Sequence, residues 1–217
     1  MPIAIFDLDN TLLRGDSDHA WGIFLAERGI VDADLHKQAQ DRFYQQYLAG
    51  KLDINEFLAF QLQALRDNHM SDLEAWRSEF MQEKIQPMIT DAAQELVALH
   101  RRRGDILMIV TSTNRFVTEP IAAEFGIAHL LATEPEQSNG RFTGSVLGVP
   151  CYRDGKLVHL QRWLTANDQD LADSWCYSDS HNDLPLLEQV AHPAAVNPDE
   201  VLAETAGKRG WPILDLG

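Results

Sequence analysis

The run Ile3-Ala4-Ile5-Phe6, followed by Asp7-Leu8-Asp9, constrains the chain more than any other stretch. Its apolar part is short and has no polar face, the pattern of a parallel strand buried on both sides. Such a strand needs a sheet with helices packed on both faces. Ending it on two carboxylates is costly near a core. Residues i and i+2 share a strand face, so both carboxylates are expected to point the same way, with Leu8 turned away between them.

From residue 17 to about 86 the pattern is wholly helical. Trp21, Phe24 and Leu25 mark one face of a first helix that stops at Gly29. Leu35, Ala39, Phe43 and Tyr47 repeat every four residues in a second, which stops at Gly50. A third helix starts on Asp53 with Glu56 three residues later, and a fourth starts on Ser71 with Glu74, both in the manner of a capping box. Four amphipathic helices with short breaks predict a small bundle. Beyond Pro87 strands and helices alternate. The segment "DILMIVT" is a strand, "RFVTEPIAAEFG" a helix that Pro120 must bend or delay, and "AHLLAT" a strand. A hairpin turns at Asn139-Gly140. The helix "GKLVHLQRWLTA", the strand "SWCYS", the helix "NDLPLLEQV" and a last strand "AAVN" follow. This alternation predicts an α/β fold: a Rossmann-like, doubly wound parallel sheet formed by residues 1–15 and 87–217, carrying an inserted helical-bundle cap over 16–86.

The formal charge of −15 disfavours nucleic acid as a partner, since nucleic-acid binding needs a basic footprint. The one basic run, Arg101-Arg102-Arg103, precedes Gly104 and suits a helix C-terminus. Two cysteines, Cys151 and Cys176, are not in a CxxC pair and read as reduced thiols. Neither a signal peptide nor a membrane span is expected, which makes the cytoplasm the expected location. Oligomeric state cannot be read from the sequence.

In open α/β sheets ligands bind beyond the carboxyl ends of the strands. Asp7 and Asp9 follow the first strand, Thr111 and Ser112 end the second, Asp179 and Asp183 follow a later one, and Lys156 opens a helix. Four carboxylates converging there would raise one another's pKa or require a cation. A hard divalent ion with oxygen ligands, Mg²⁺ above all, resolves the repulsion. A lysine, a hydroxyl and free backbone N–H groups suit a phosphate. The residues therefore point to Mg²⁺-dependent phosphoryl chemistry with a carboxylate nucleophile available.

In their order and context, "DLDNT", Thr111, Lys156 and "SDSHND" resemble the motifs of the haloacid dehalogenase-like phosphatases. The helical insertion resembles the cap of the subfamily that contains phosphoserine phosphatase. The segments "GDSDHAWGIFLAERG", "TNRFVTEPIA" and "YSDSHNDLPLLE" resemble a bacterial, histidinol-phosphatase-like branch of it. The resemblance implies roles. Asp7 would attack phosphorus, becoming an aspartyl phosphate, and would also hold Mg²⁺. Asp9 would protonate the leaving alkoxide, activate water, and ligate the metal through its carbonyl. Thr111, the N–H of Ser112 and Asn182 would bind phosphate, and Lys156 would neutralise charge. Asp179 would ligate Mg²⁺ directly and Asp183 through water or a second-shell bond. Ser178 and Ser180 stand where many relatives carry glycine.

Asp16 lies where phosphoserine phosphatases hold the substrate amine with an acidic residue; it could equally cap the first helix. Those enzymes also use a cap arginine for the serine carboxylate. Here Ala59 and Gln61 stand near that place, with Arg66 later and Arg42 in another helix. An unpaired substrate carboxylate would be costly. The expected substrate is a small phosphorylated metabolite bearing an amine but no carboxylate, with L-histidinol phosphate the best match. Phosphoserine hydrolysis and phosphoryl transfer to a second substrate are the alternatives. The intact motif set argues against a non-catalytic binding protein.

Overall fold

The computed structural model describes residues 1–48 and 51–217, the side chains of Tyr47 and Leu48 excepted. Gly50 and the Tyr47 side chain, both invoked above, lie outside the described residues.

A six-stranded sheet, parallel throughout, forms the centre. Its strands are β1 (Ile3–Phe6), β2 (Ile106–Asn114), β3 (His129–Thr133), β6 (Trp175–Ser178), β7 (His192–Val196) and β8 (Ile213–Leu214), in the order β3-β2-β1-β6-β7-β8. Strands β4 (Pro135–Ser138) and β5 (Arg141–Val146) form a separate antiparallel hairpin. Its turn is Asn139-Gly140 with φ of 51° and 74°, the left-handed pair that a two-residue hairpin needs.

Successive residues of β1 fall on opposite faces of the sheet and into different cores. Ala4 and Phe6 join a cluster with Ala93, Val97, Phe116 and Ile121. Ile3 and Ile5 join another with Leu160, Leu164, Leu187 and Leu202. Helices α6 (Asp91–Arg103) and α7 (Arg115–Glu124) thus cover one face. Helices α8 (Asp154–Asn167), α9 (Leu184–Leu187) and α10 (Glu200–Arg209) cover the other. This is the doubly wound arrangement that the apolar strand required.

Between β1 and β2 lie α1 (Ser17–Glu27), α2 (Ala33–Leu48), α3 (Ile54–Gln61), α4 (Gln63–Asp67) and α5 (Met70–Phe80). A π-helical turn (Met81–Ile85) and a 3-10 turn (Gln86–Met88) complete the insertion. Trp21 stacks on Phe24 with centroids 5.5 Å apart and meets Phe80 edge-on at 5.1 Å and Phe116 at 6.1 Å. The insertion is thereby anchored on α7 by an aromatic cluster. Its two connections to the sheet run side by side: Leu13 bridges Ile89, and the Arg14 N–H donates to the Met88 carbonyl at 2.8 Å.

Several elements depart from the sequence reading. The expected third helix breaks at Leu62, the shared boundary of α3 and α4. Asp53 caps α3 by accepting from the Asn55 and Glu56 N–H groups, but the Glu56 carboxylate pairs with Arg42 at 2.9 Å instead of closing a capping box. The fourth helix starts at Met70 with His69 as N-cap, so Ser71 is inside it. Leu35 is 65% exposed, so the four-residue repeat overstates the apolar face of α2. Strand β2 runs through Thr111 and Ser112 to Asn114, with a register shift after Val110 that lets the ladder resume at Asn114–Thr133. Pro120 lies inside α7. Its missing N–H would have served the Phe116 carbonyl; Arg77 of α5 donates to that oxygen at 2.8 Å, with its guanidinium 4.4 Å from the Phe116 ring. The helix expected at 182–190 shrinks to a 3-10 turn (His181–Asp183) and α9. Strand β7 is not the last element, since α10 and β8 follow it. No helix among the described residues is long and apolar enough to cross a membrane.

Candidate active site

The strand order reverses between β1 and β6, and open α/β sheets bind ligands in the crevice beyond the carboxyl ends of the strands at such a point. Asp7 sits at this point. Its N–H donates to the Tyr177 carbonyl at 2.9 Å, extending the β1–β6 ladder by one residue. Lys156, in the first turn of α8 and 4% exposed, reaches the crevice from the other side of the sheet. Its Nζ donates to Asp7 Oδ1 at 2.9 Å and to Asp183 Oδ2 at 2.7 Å. Ser178 Oγ donates to the same Asp183 oxygen at 2.7 Å. Gly155 permits the approach, because a Cβ there would collide with the Pro150 carbonyl.

Asp9 does not share the orientation of Asp7. Strand β1 ends at Phe6, so the two-residue strand period no longer governs either carboxylate. Asp9 turns instead toward α1 and β2. Its Oδ1 accepts from the Ser17 N–H at 2.7 Å and Oγ at 2.5 Å, and its Oδ2 from Thr113 Oγ1 at 2.8 Å. Thr111 Oγ1 stands 3.5 Å from the same Asp9 oxygen and accepts from the Thr113 N–H at 3.2 Å. Ser112 faces the β3 side, its carbonyl accepting from Thr133 Oγ1 at 2.8 Å. Asp179 Oδ1 accepts from Thr11 Oγ1 at 3.2 Å. Asn182 Oδ1 accepts from Arg153 Nε at 2.8 Å.

The structure thus brings Asp7, Lys156 and Asp183 into direct contact. Asp9 and Thr111 form a second group beside them, and Asp179 and Asn182 lie on the loop after β6. Asp16 Oδ1 caps α1 by accepting from the His19 N–H at 2.9 Å. Neither basic residue considered for the insertion points to this crevice. Arg66 pairs with Asp67 and packs against Gly144, while Arg42 pairs with Glu56. Gln61 donates to Asp18 Oδ2 at 2.5 Å.

Sequence reasoning missed Ser17, Thr113, Thr11, Ser178 and Arg153 as partners. Thr113 had a usable signal, since it shares the face of Thr111 two residues away on a strand. The others contact residues with which they share no regular spacing.

Burial dominates the electrostatics. It pushes Asp7 up to about 6, opposed by Lys156 and assisted by Asp183 and Asp9. Asp9 also rises to about 6, through burial and then the charge of Asp16. Asp179 rises to about 9, through burial followed by Asp7 and Asp183. Burial alone would lower Lys156, but Asp183 and Asp7 hold it well above its ordinary value. A nearby cation would favour the ionised form of a carboxylate placed like Asp179.

The donor set fits a hard divalent ion, with one qualification. Among the described residues no three His, Cys, Asp or Glu side chains form a ready-made cage. All four carboxylates already accept from protein donors: Asp7 from Lys156, Asp9 from Ser17 and Thr113, Asp179 from Thr11, and Asp183 from Lys156 and Ser178. Asp7 and Asp179 accept in these bonds through one oxygen each, Oδ1 in both. Mg²⁺ commonly takes one or two carboxylates and keeps several waters, so this set suits it.

A family model described as haloacid dehalogenase-like hydrolase matches residues 4–188. A relative from Neisseria meningitidis serogroup C (strain 8013), named histidinol-phosphatase, is 42% identical over 218 residues, covering 99% of this chain and 98% of its own. A phosphoserine phosphatase of Mycobacterium tuberculosis is 33% identical over 219 residues, covering 98% of this chain and 70% of its own. Among solved structures, a Bordetella pertussis Tohama I protein of unknown function superposes with a TM-score of 0.95 at 43% identity, covering 100% of this chain and 99% of its own. A substrate-bound phosphoserine phosphatase shares the fold, with a TM-score of 0.71 at 18% identity over 98% of this chain and 92% of its own. The parallel sheet, the crevice beyond β1 and β6 and these full-length similarities agree: the chain belongs to the haloacid dehalogenase-like hydrolase family, as an enzyme of phosphatase type.

Proposed function

We propose that this enzyme is a Mg²⁺-dependent phosphomonoesterase working through an aspartyl phosphate on Asp7, with L-histidinol phosphate as its substrate. The observation that carries the reading is the Lys156 ammonium held between Asp7 and Asp183 at 2.9 and 2.7 Å. It keeps one carboxylate ionised at the switch point of the sheet, where a nucleophile must stand.

Asp7 and Asp179, with the Asp9 carbonyl, would hold Mg²⁺, and Asp183 would act through water or Lys156. The bound ion would supply positive charge that lets two carboxylates and a phosphate coexist. An Asp7 oxygen attacks phosphorus, forming the acyl-phosphate P–O bond as the bond to the leaving alkoxide breaks. Asp9, raised to about 6, carries a proton in part of the population near neutral pH and gives it to that alkoxide. The resulting Asp9 carboxylate then takes a proton from the water that hydrolyses the intermediate. Ser17 and Thr113 hold the Asp9 carboxylate through their own bonds, while Lys156 holds Asp7, so the two acids have different hydrogen-bond partners. Thr111, the Ser112 N–H and Asn182 bind the phosphate oxygens, and Lys156 offsets their charge.

Residues 16–86 act as a cap over a core made of 1–15 and 87–217, and the cap selects the leaving group. Asp16, with its Oδ1 committed to the helix cap, presents carboxylate charge to a substrate amine. Arg42 and Arg66 are committed to carboxylates elsewhere, which favours an ester without a carboxylate. The name of the Neisseria relative supports the same choice.

The test is a panel of phosphate esters with Mg²⁺, including L-histidinol phosphate and phosphoserine, with free phosphate and phosphorylated acceptors both measured. Histidinol phosphate should have the highest kcat/KM, with phosphate released to water. A clear preference for phosphoserine would overturn the substrate assignment, and a phosphorylated acceptor would make the enzyme a transferase.

A further inference from the structure

Three observations bear on Arg153. The first is its backbone. Six non-glycine residues among those described have positive φ; five are Asn or Asp, which tolerate the left-handed region, and the sixth is Arg153. Its φ of 49° and ψ of −121° lie outside even that region. Strain of this kind persists only where the surroundings enforce it, and it concentrates at functional sites.

The second count is its placement. Arg153 directly precedes α8, three residues before Lys156. Its side chain crosses to the loop after β6, where Nε donates to Asn182 Oδ1 at 2.8 Å. Its guanidinium carbon also lies 5.1 Å from the Tyr152 ring centroid. Arg153 therefore links the segment that delivers Lys156 to the loop that carries Asp179 and Asp183.

The third count is its charge. In a chain of formal charge −15, Arg28, Arg42, Arg66, Arg103, Arg115 and Arg209 pair with a carboxylate, while Arg14, Arg77, Arg101, Arg102, Arg141, Arg153 and Arg162 have none among the described ion pairs. Of these seven, Arg153 is half-buried and bonds to the loop that carries Asp179 and Asp183. A partly desolvated guanidinium left unpaired in so acidic a protein suits an anion that arrives from solution.

We propose that Arg153 is a positioning residue for the phosphate side of the site: its Nε fixes the Asn182 amide, and its unpaired charge favours the incoming phosphate. The inference rests on the phosphatase reading above, because it needs Asn182 to face phosphate. It assigns the backbone strain a purpose, since this positive-φ conformation is the one from which the side chain crosses to Asn182.

The test measures three quantities in the full chain with Mg²⁺ present. They are melting temperature, affinity for inorganic phosphate by calorimetry, and kcat and KM on the preferred ester. The variants are Arg153→Gly, Arg153→Lys, Asn182→Ala and the double variant Arg153→Gly/Asn182→Ala. Glycine accepts this positive-φ backbone, so Arg153→Gly should melt no lower than wild type. It should nevertheless bind phosphate about tenfold more weakly, with KM rising more than kcat falls. Arg153→Lys should lose less, keeping charge without the fork. The Arg153→Gly effect should shrink in the Asn182→Ala background, because both act through one contact. Phosphate affinity within about twofold of wild type in Arg153→Gly would overturn the proposal. So would full additivity with Asn182→Ala, or a lower melting temperature with unchanged KM. If the wild type binds phosphate but hydrolyses no ester, the functional reading falls, and the phosphate affinities still decide the role of Arg153.

Discussion

At the scale of the residue, one buried ammonium organises the site. Lys156 neutralises Asp7 and Asp183 together, so removing it leaves two buried carboxylates without their partner. Lys156→Met should cost about 3–5 kcal/mol of stability, read by denaturant unfolding, besides abolishing turnover. Asp7→Asn keeps the shape of the side chain and should retain the fold while turnover drops below detection. Mg²⁺ at about a hundredfold over its Kd should stabilise the wild type by about 2.7 kcal/mol. Asp179→Asn should lose that thermal shift, and an undiminished shift would place the ion elsewhere. Asp7, Lys156 and Asp183 could be read from the sequence because strand ends and helix starts bring such groups to one edge. Thr113 left a signal in sharing the strand face of Thr111; Ser17 and Arg153 left none. Ser17 is chosen by where the Asp9 side chain turns once β1 has ended, and Arg153 by a backbone conformation that no spacing announces.

At the scale of the element, α7 shows how a tertiary contact overrides a local rule. Pro120 should interrupt the helix, yet Arg77 supplies the donor that the Phe116 carbonyl lacks. Arg77→Ala should destabilise by about 1–3 kcal/mol, since it strips a part-buried carbonyl of its donor. Pro120→Ala should restore more stability in that background than in the wild type, because it returns the missing N–H. Equal effects in both backgrounds would refute the account of this helix. Helix α1 contains a second such dependence. A Cβ on Gly22 would meet the side-chain ends His36 Nε2 and Gln40 Nε2 of α2, so Gly22→Ala should displace both. The existence of nearly every element up to β7 was legible from apolar periodicity and glycine stops. The break at Leu62 and the start of α5 at Met70 were not, because packing and backbone bonding set them rather than the capping residues Asp53 and Ser71.

At the scale of the whole molecule, α10 and β8 extend the sheet past the last strand read from the sequence. Strand β8, with only Ile213 and Leu214, is too short to carry a periodic signal. The interior also carries a pH dependence away from the active site. His100, 1% exposed, lies 2.7 Å from Asp105 Oδ2 and 2.8 Å from the Tyr177 hydroxyl. Burial lowers its pKa below the ordinary 6.5, against the opposing pull of Asp105. The unfolded chain therefore binds this proton first as pH falls. The stability His100 contributes is present above 6.5 and is lost as pH drops through its folded value. His100→Gln should flatten the dependence of melting temperature between about pH 7.5 and about pH 5.5 relative to wild type. The central claim concerns one atom of the whole enzyme at work, an Asp7 oxygen bonded to phosphorus. Its most direct test is acid quench during steady-state turnover of the preferred ester with Mg²⁺, followed by peptide mass analysis. The expected result is one phosphoryl group on the peptide containing Asp7, absent from Asp7→Asn. Sustained turnover by Asp7→Asn, or a phosphoryl group trapped on any other residue, would contradict the account.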